Sequence, residues 1–152
     1  MSAQSAIGAS REPSVQAVLA ERWELLDRLG EGAMGEVWRG RHRVLGHEVA
    51  IKLMKVGQGS DASAIAHWLR EARSVSRLTH PNIVPVFEAD VQDQQPYLVF
   101  EYVAGQTLSD LLAKNGAMPA AEAVALMLGV LDALVVAHAA GVIHCDLKPS
   151  NV

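Results

Sequence analysis

An α+β fold is predicted for this chain, with an antiparallel sheet first and helices afterwards. Three observations predict it. Short runs of apolar and β-branched residues, broken by glycine and polar turns, carry the chain from Leu25 to about Val103. One stretch of helical period interrupts them after Asp61, and from Gly105 onward the apolar spacing is that of helices throughout. With 152 residues the chain is long enough for one domain with a real core.

Residues 1–20, rich in Ser, Ala and Gln, read as a flexible extension, with order expected to begin near Glu21. Leu25 to Leu29 reads as a strand, and the glycine stretch Gly30-Glu31-Gly32-Ala33-Met34-Gly35 follows it. Val37-Trp38-Arg39 reads as the returning strand. After a turn at Gly46, alternation from His47 to Met54 puts Val49, Ile51 and Leu53 on one face, and Ala50, Lys52 and Met54 on the other. The loop Gly57 to Asp61 carries helix-start residues, and Ile65, Trp68, Leu69, Ala72 and Val75 then recur at helical spacing. His80-Pro81-Asn82 punctuates. Ile83–Ala89 and Tyr97–Val103 are further strands, separated by a polar turn from Asp90 to Pro96. Leu108, Leu111 and Leu112 predict a short helix ended by Gly116. Pro119 suits the first position of a long amphipathic helix carrying Val124, Leu128, Leu131, Val135 and His138.

Composition narrows the function classes. A net charge of −4 gives no electrostatic footprint for nucleic acid. The single cysteine, Cys145, rules out an internal disulfide, so a reducing cytoplasm is expected. The N-terminus has no basic start followed by an apolar run, and so no secretory signal. The longest apolar run, Ala123–Leu131, falls short of the about 20 residues a bilayer span needs, so no membrane segment is expected in this chain.

The most specific motif lies at the end, in His144-Cys145-Asp146-Leu147-Lys148-Pro149-Ser150-Asn151. An Asp, a Lys and an Asn in one short loop supply a proton acceptor, a cation and a metal ligand, which phosphoryl transfer from ATP requires together. The spacing resembles the protein-kinase catalytic loop H-R-D-x-x-x-x-N, with Cys145 in place of the Arg. The resemblance implies Asp146 as catalytic base, Lys148 as the neutraliser of the transferring phosphoryl group, and Asn151 as a Mg²⁺ ligand. The Asp-Leu-Lys-Pro-x-Asn form is similar to serine/threonine kinases, and His80-Pro81-Asn82-Ile83-Val84 and Gly141-Val142-Ile143-His144 resemble the same family with a bacterial, eukaryotic-type flavour.

Gly30-x-Gly32-x-x-Gly35 taken alone is compatible with an ordinary glycine-rich hairpin. A dinucleotide-binding loop would open a helix, whereas Val37-Trp38-Arg39 reads as strand, and a Walker loop needs Lys-Ser/Thr where this chain has Glu36-Val37. The stretch from Leu29 to Val37 resembles the kinase glycine-rich loop, and Val49-Ala50-Ile51-Lys52 resembles the kinase V-A-I-K strand. That resemblance implies an ATP site formed by Leu29, Gly30, Gly32, Gly35, Val37, Ala50 and Lys52, with Glu71 as the partner of Lys52. It also implies a hinge at Glu101 and Val103 whose backbone meets the adenine edge, with Phe100 as gatekeeper. Val75, Val86 and His144 would stack in an apolar spine.

The expected organisation is therefore a protein-kinase-like fold: extension 1–20, sheet lobe with hinge 21–104, and the start of a helical lobe at 105–152. ATP and Mg²⁺ are the implied cofactors, and serine/threonine-bearing proteins the implied substrates. Because Cys145 cannot make the bidentate charged contact of an Arg, activation through a phosphorylated loop at that contact is not expected. The chain stops before a D-F-G metal ligand, which the resemblance would place later, so little phosphate transfer is expected of these 152 residues alone. Val124, Leu128, Leu131 and Val135 left uncovered would forgo about 1.5–3 kcal/mol each, which favours a longer protein. The sequence does not say whether a membrane anchor follows Val152. The rival from another class is a non-catalytic nucleotide-binding or interaction module.

Overall fold

The computed structural model describes residues 18–32, 35–55 and 62–152. The leader as far as residue 17, Ala33 and Met34 of the glycine stretch, and the expected loop at 57–61 lie outside the described residues. Six antiparallel strands form one sheet in the order β1-β2-β3-β4-β6-β5, namely β1 (Val18–Leu19), β2 (Trp23–Gly32), β3 (Gly35–His42), β4 (Glu48–Met54), β5 (Val86–Gln92) and β6 (Gln95–Glu101). Helix α1 (Ala62–Val75) separates β4 from β5. After the sheet come α2 (Leu108–Asn115), α3 (Ala120–Ala139) and a 3₁₀ turn at Pro149–Asn151. The predicted α+β order is the observed one.

The expected alternation in β4 holds. Val49 and Ile51 are fully buried and pack with Leu19, Trp23, Tyr97 and Val99 as the sheet core, whereas Ala50, Lys52 and Met54 on the other face are partly buried. The buried hydroxyl of Tyr97 donates to Glu88 Oε1 at 2.7 Å, and Glu88 also receives Arg22 at 3.0 Å. Burial and the neighbouring carboxylate push the Tyr97 phenol well above its ordinary range, so it stays a neutral donor.

Several boundaries move. Order reaches back to Val18, within the stretch expected to be a flexible leader, because Leu19 finds a place in the core and β1 pairs with β2 through Leu19↔Trp23. A Leu19→Ala variant is expected to lose about 2–4 kcal/mol of stability, measured by urea titration. Strand β5 starts at Val86 rather than Ile83, since Pro85 has no N–H to pair and the Ile83 N–H turns back to His80 O at 3.0 Å. The polar turn between β5 and β6 shrinks to Asp93-Gln94, with φ of +49° and +63°. Positive φ at both central residues is what a tight two-residue hairpin demands. Correspondingly β6 ends at Glu101, short of Val103.

Helix α2 starts with a reciprocal cap: Asp110 N–H donates to the Thr107 hydroxyl oxygen at 3.1 Å, and Thr107 N–H donates to Asp110 Oδ2 at 3.0 Å. It ends at Gly116 as expected, with φ +79°. Pro119 sits one position outside α3, as its cap, with ψ of 140°.

Helix α3 departs from the predicted amphipathic pattern. Val124, Leu128, Leu131 and Val135 are 60%, 61%, 52% and 67% exposed, while Ala133 and Ala137 on another face are buried. The helix is thus apolar on more than one side. Averaged over its length, with a mean hydropathy of 2.1 in an 18-residue window, it is long and apolar enough to cross a membrane. That property rests on length and composition alone, which a core helix also satisfies, and it extends beyond the shorter run Ala123–Leu131. The helix is also docked to the rest of the chain. Asp132 Oδ2 lies 3.0 Å from His80 Nε2, and Asn82 Nδ2 donates to Gly129 O at 3.1 Å. His80 Nδ1 accepts from the Asn82 N–H at 3.1 Å, so Nε2 carries the proton given to Asp132.

Candidate active site

Register brings the sequence-predicted residues of the sheet onto one face. Gly30 is opposite Val37, Val37 opposite Lys52, and Lys52 opposite Leu98, a continuous row across β2, β3, β4 and β6. Two residues along, Arg39, Ala50 and Phe100 form the next row. Directly opposed residues of antiparallel strands share a face. Val37, Ala50, Lys52 and Phe100 therefore line one surface, with Leu29 half-exposed at its margin.

The three glycines differ in why they are glycine. A Cβ on Gly35 would stand 2.0 Å from Leu53 O, and its φ is +146°. Gly30 and Gly32 would meet nothing within 4 Å. Gly35 is thus required by the fold itself, whereas Gly30 and Gly32 leave open space beside the backbone. That space is what a close-approaching ligand uses.

The expected Lys52–Glu71 ion pair does not form. Among the described residues Lys52 has no carboxylate within ion-pair distance, and Glu71, 69% exposed, is 3.8 Å from His67 Nδ1 one helical turn away. The physical reason is a gap: a cavity of about 180 Å³ lies between α1 and the sheet, bordered by Trp68, Glu71, Val75, Val86, Leu98 and Phe100. Val75 borders this cavity with Val86, and a larger apolar one of about 430 Å³ with His144. The three residues expected to stack as a spine thus edge two open spaces.

At the strand exit, Glu101 N–H is spent on Pro85 O at 3.1 Å. Glu101 opposes Val49, so its side chain belongs to the other sheet face. Val103 is exposed, and among the described residues its N–H has no partner.

The terminal loop is tightly organised. Cys145 adopts φ +59°, and Asp146 N–H turns back to His144 O at 2.8 Å and His144 Nδ1 at 3.3 Å. Lys148 Nζ sits 2.9 Å from Asp146 Oδ2. Asn151 Nδ2 donates to Asp146 O at 2.8 Å and to Oδ2 at 3.2 Å. Both its partners are acceptors, which identifies that atom as the amide nitrogen and leaves Asn151 Oδ1 open. Asp146 Oδ1 likewise has no partner among the described residues. Leu108 N–H donates to Val152 O at 2.7 Å, fastening α2 to the loop's end.

The hydrogen bond from Lys148 holds the Asp146 carboxyl below the usual carboxylate range, with Asn151 adding to the effect. A depressed pKa means that the loop's stabilisation by this carboxylate is complete above the ordinary midpoint near 4, and is lost as pH falls through the lower, folded value. Removing the ammonium in Lys148→Met is expected to raise the Asp146 midpoint, read from its ¹³C carboxyl shift against pH. An unmoved midpoint would show that Lys148 is not the cause.

Sequence reasoning did not find the His80–Asp132 and Asn82–Gly129 contacts that join the sheet region to α3. The phrase His80-Pro81-Asn82 was visible, but its partners lie in a helix far along the chain.

A chain with this sheet, this loop and this order of parts has close counterparts. The probable serine/threonine-protein kinase PknB of Bifidobacterium longum is 37% identical over 145 residues, covering 90% of this chain and 21% of that protein. The serine/threonine-protein kinase PksC of Streptomyces coelicolor is 39% identical over 145 residues, covering 90% of this chain and 26% of its own length. The crystal structure of the Mycobacterium tuberculosis PknI kinase domain superposes with a TM-score of 0.79 at 28% identity, over 91% of this chain and 56% of that one. The chain therefore spans about a fifth to a quarter of the length of these curated relatives. Residues 23–152 match the family model described as protein kinase domain, and the chain belongs to that family.

Proposed function

We propose that this chain forms part of a serine/threonine protein kinase that moves the γ-phosphoryl group of Mg-ATP to protein hydroxyls. The observation that carries the reading is the terminal loop. There Lys148 and Asn151 both occupy Asp146 Oδ2, and Oδ1, without a partner among the described residues, is open to accept a proton.

The residues fit the implied cofactors in part. Asn151 Oδ1 is an open hard-oxygen donor, suited to one contact on Mg²⁺, an ion that keeps several waters and phosphate oxygens of its own. Among the described residues there is no cluster of three His, Cys, Asp or Glu that would make a full protein cage. When bound, Mg-ATP supplies the phosphoryl group and the charge neutralisation on it. Lys52, on the sheet face of Val37 and Ala50 and without an ion-pair partner among the described residues, would hold phosphate oxygens, with Val37 and Ala50 offering apolar surface to the base. The open backbone of Gly30 and Gly32 would let phosphate oxygens approach closely. Val103 N–H is available as a donor to the adenine edge. Asp146, anionic at neutral pH, would orient the substrate hydroxyl through Oδ1 and take its proton as the oxygen attacks the γ-phosphorus and the bond to the bridging oxygen breaks to release ADP. Lys148 compensates the charge that gathers there.

A second reading, nucleotide binding without transfer, is favoured by one observation: Glu71 is engaged with His67 and not with Lys52. The two readings separate in one assay. The full-length protein, given Mg-ATP labelled at the γ-phosphate and a serine/threonine-rich acceptor, is expected to make acid-stable phosphoserine or phosphothreonine, and Lys52→Met to make none. Binding of Mg-ATP with no labelled product would uphold the second reading.

A further inference from the structure

Beyond the buried core, the face of the glycine strands on the Ile51 side carries a charge network that the proposed chemistry does not use. Glu31 and Glu36 stand directly opposite each other on β2 and β3, and Glu36 opposes Leu53 on β4. This row alternates with Gly30, Val37 and Lys52, and so lies on the other side of the sheet. Two carboxylates facing across strands repel. Here they are answered by two cations. Arg28 reaches Glu31 at 3.0 Å and Glu36 at 3.8 Å, and Lys55 reaches Glu31 at 3.0 Å. Glu36 is further fixed by the Trp38 indole N–H at 3.0 Å.

The Lys55–Glu31 pair joins β2 to the end of β4 across the intervening strand. Lys55 follows Leu53 by two residues, so strand alternation carried one step past Met54 puts it on the same face as Glu31 and Glu36. The Lys55 hydrogen bond also holds the Glu31 carboxyl below its usual range, so the pair is ionised at neutral pH. All three partners are about half exposed, 45% for Glu31, 52% for Lys55 and 51% for Arg28. Exposed pairs of this kind contribute only about 0–1 kcal/mol each, too little to decide whether the domain folds. A bias of that size is enough to shift where the Gly30–Gly32 backbone rests without deciding the fold.

We propose that Glu31 is a positioning residue, bridging Arg28 and Lys55 to hold the Gly30–Gly32 backbone where it meets the nucleotide's phosphates. This rests on the nucleotide-binding reading above. It predicts that Glu31 matters for phosphate-bearing ligands and not for the base.

The test uses the full-length protein, with Mg-ATP and adenosine titrated calorimetrically into wild type, Glu31→Gln, Lys55→Met and the double variant. Each single variant is expected to weaken Mg-ATP by about two- to five-fold with adenosine affinity and melting temperature unchanged. The double variant should be no worse than either single one, and the difference from wild type should vanish in 0.5 M salt, where screening is within about 3–5 Å. Glu31→Gln binding Mg-ATP as wild type does would overturn the proposal. So would an equal loss of ATP and adenosine affinity with a lowered melting temperature, which marks a merely structural role. Wild type failing to bind Mg-ATP at all would instead sink the nucleotide-binding reading on which it stands.

Discussion

Asp146→Asn is expected to slow phosphoryl transfer by the full-length protein at least ~100-fold while leaving Mg-ATP affinity within about two-fold. The substitution is nearly isosteric. Its amide oxygen still accepts from Lys148 and Asn151, which both bind Oδ2 in the wild type, so the loop keeps its shape. What changes is the other atom: the free Oδ1 becomes an NH₂ group that can donate but cannot take the substrate's proton. A rate assay paired with an ATP titration decides the matter. Equal rates for variant and wild type would remove Asp146 from the reaction, and a collapse of ATP binding would point to loop disruption rather than to lost base chemistry.

Gly35→Ala is expected to be the most damaging of the glycine substitutions to the fold. A methyl group would overlap Leu53 O at 2.0 Å, and the backbone there holds φ at +146°. Backbone strain of about 1–3 kcal/mol and overpacking of a further 1–3 kcal/mol combine at a single site. Typical domains have only about 5–15 kcal/mol in total, so the midpoint of urea denaturation should fall steeply. Gly30→Ala and Gly32→Ala, with nothing within 4 Å, should unfold like wild type yet bind Mg-ATP more weakly. A Gly35→Ala protein as stable as Gly30→Ala would show that β3 can withdraw from β4 at little cost.

Much of the site was legible before any coordinates. The period-two pattern around Val49-Ala50-Ile51-Lys52 gave the correct faces, because in a strand the side-chain direction follows directly from sequence position. The Asp146–Lys148–Asn151 constellation was equally readable, since its hydrogen bonds span only a few residues of one loop. The glycine stretch was found as a unit, but its division of labour was not. Gly35 is held by the carbonyl of Leu53, a residue of the neighbouring strand.

The misreadings share a cause. Glu71 was matched to Lys52 by motif, but whether the two meet depends on how closely α1 rests on the sheet, and the cavity between them is a property of packing. The leader was read as loose up to residue 20 because its composition is polar, whereas Leu19 is anchored by a core assembled from β2, β4 and β6. Helix α3 was read as one-faced because only one apolar stripe was traced. Ala133 and Ala137 are buried on another face, while Val124, Leu128, Leu131 and Val135 stay exposed, as that face was expected to be when uncovered.

The sequence by itself determined what is local: which stretches are strands or helices, which residues alternate onto the lysine's face, and the composition of the terminal loop. Tertiary structure alone decided the contacts between elements far apart in the chain, including the unmade Lys52–Glu71 pair, the His80–Asp132 clasp and the reach of Lys55 to Glu31. Backbone geometry ties neighbours together with a fixed period, but it says nothing about the distance between two elements until all of their side chains have been packed.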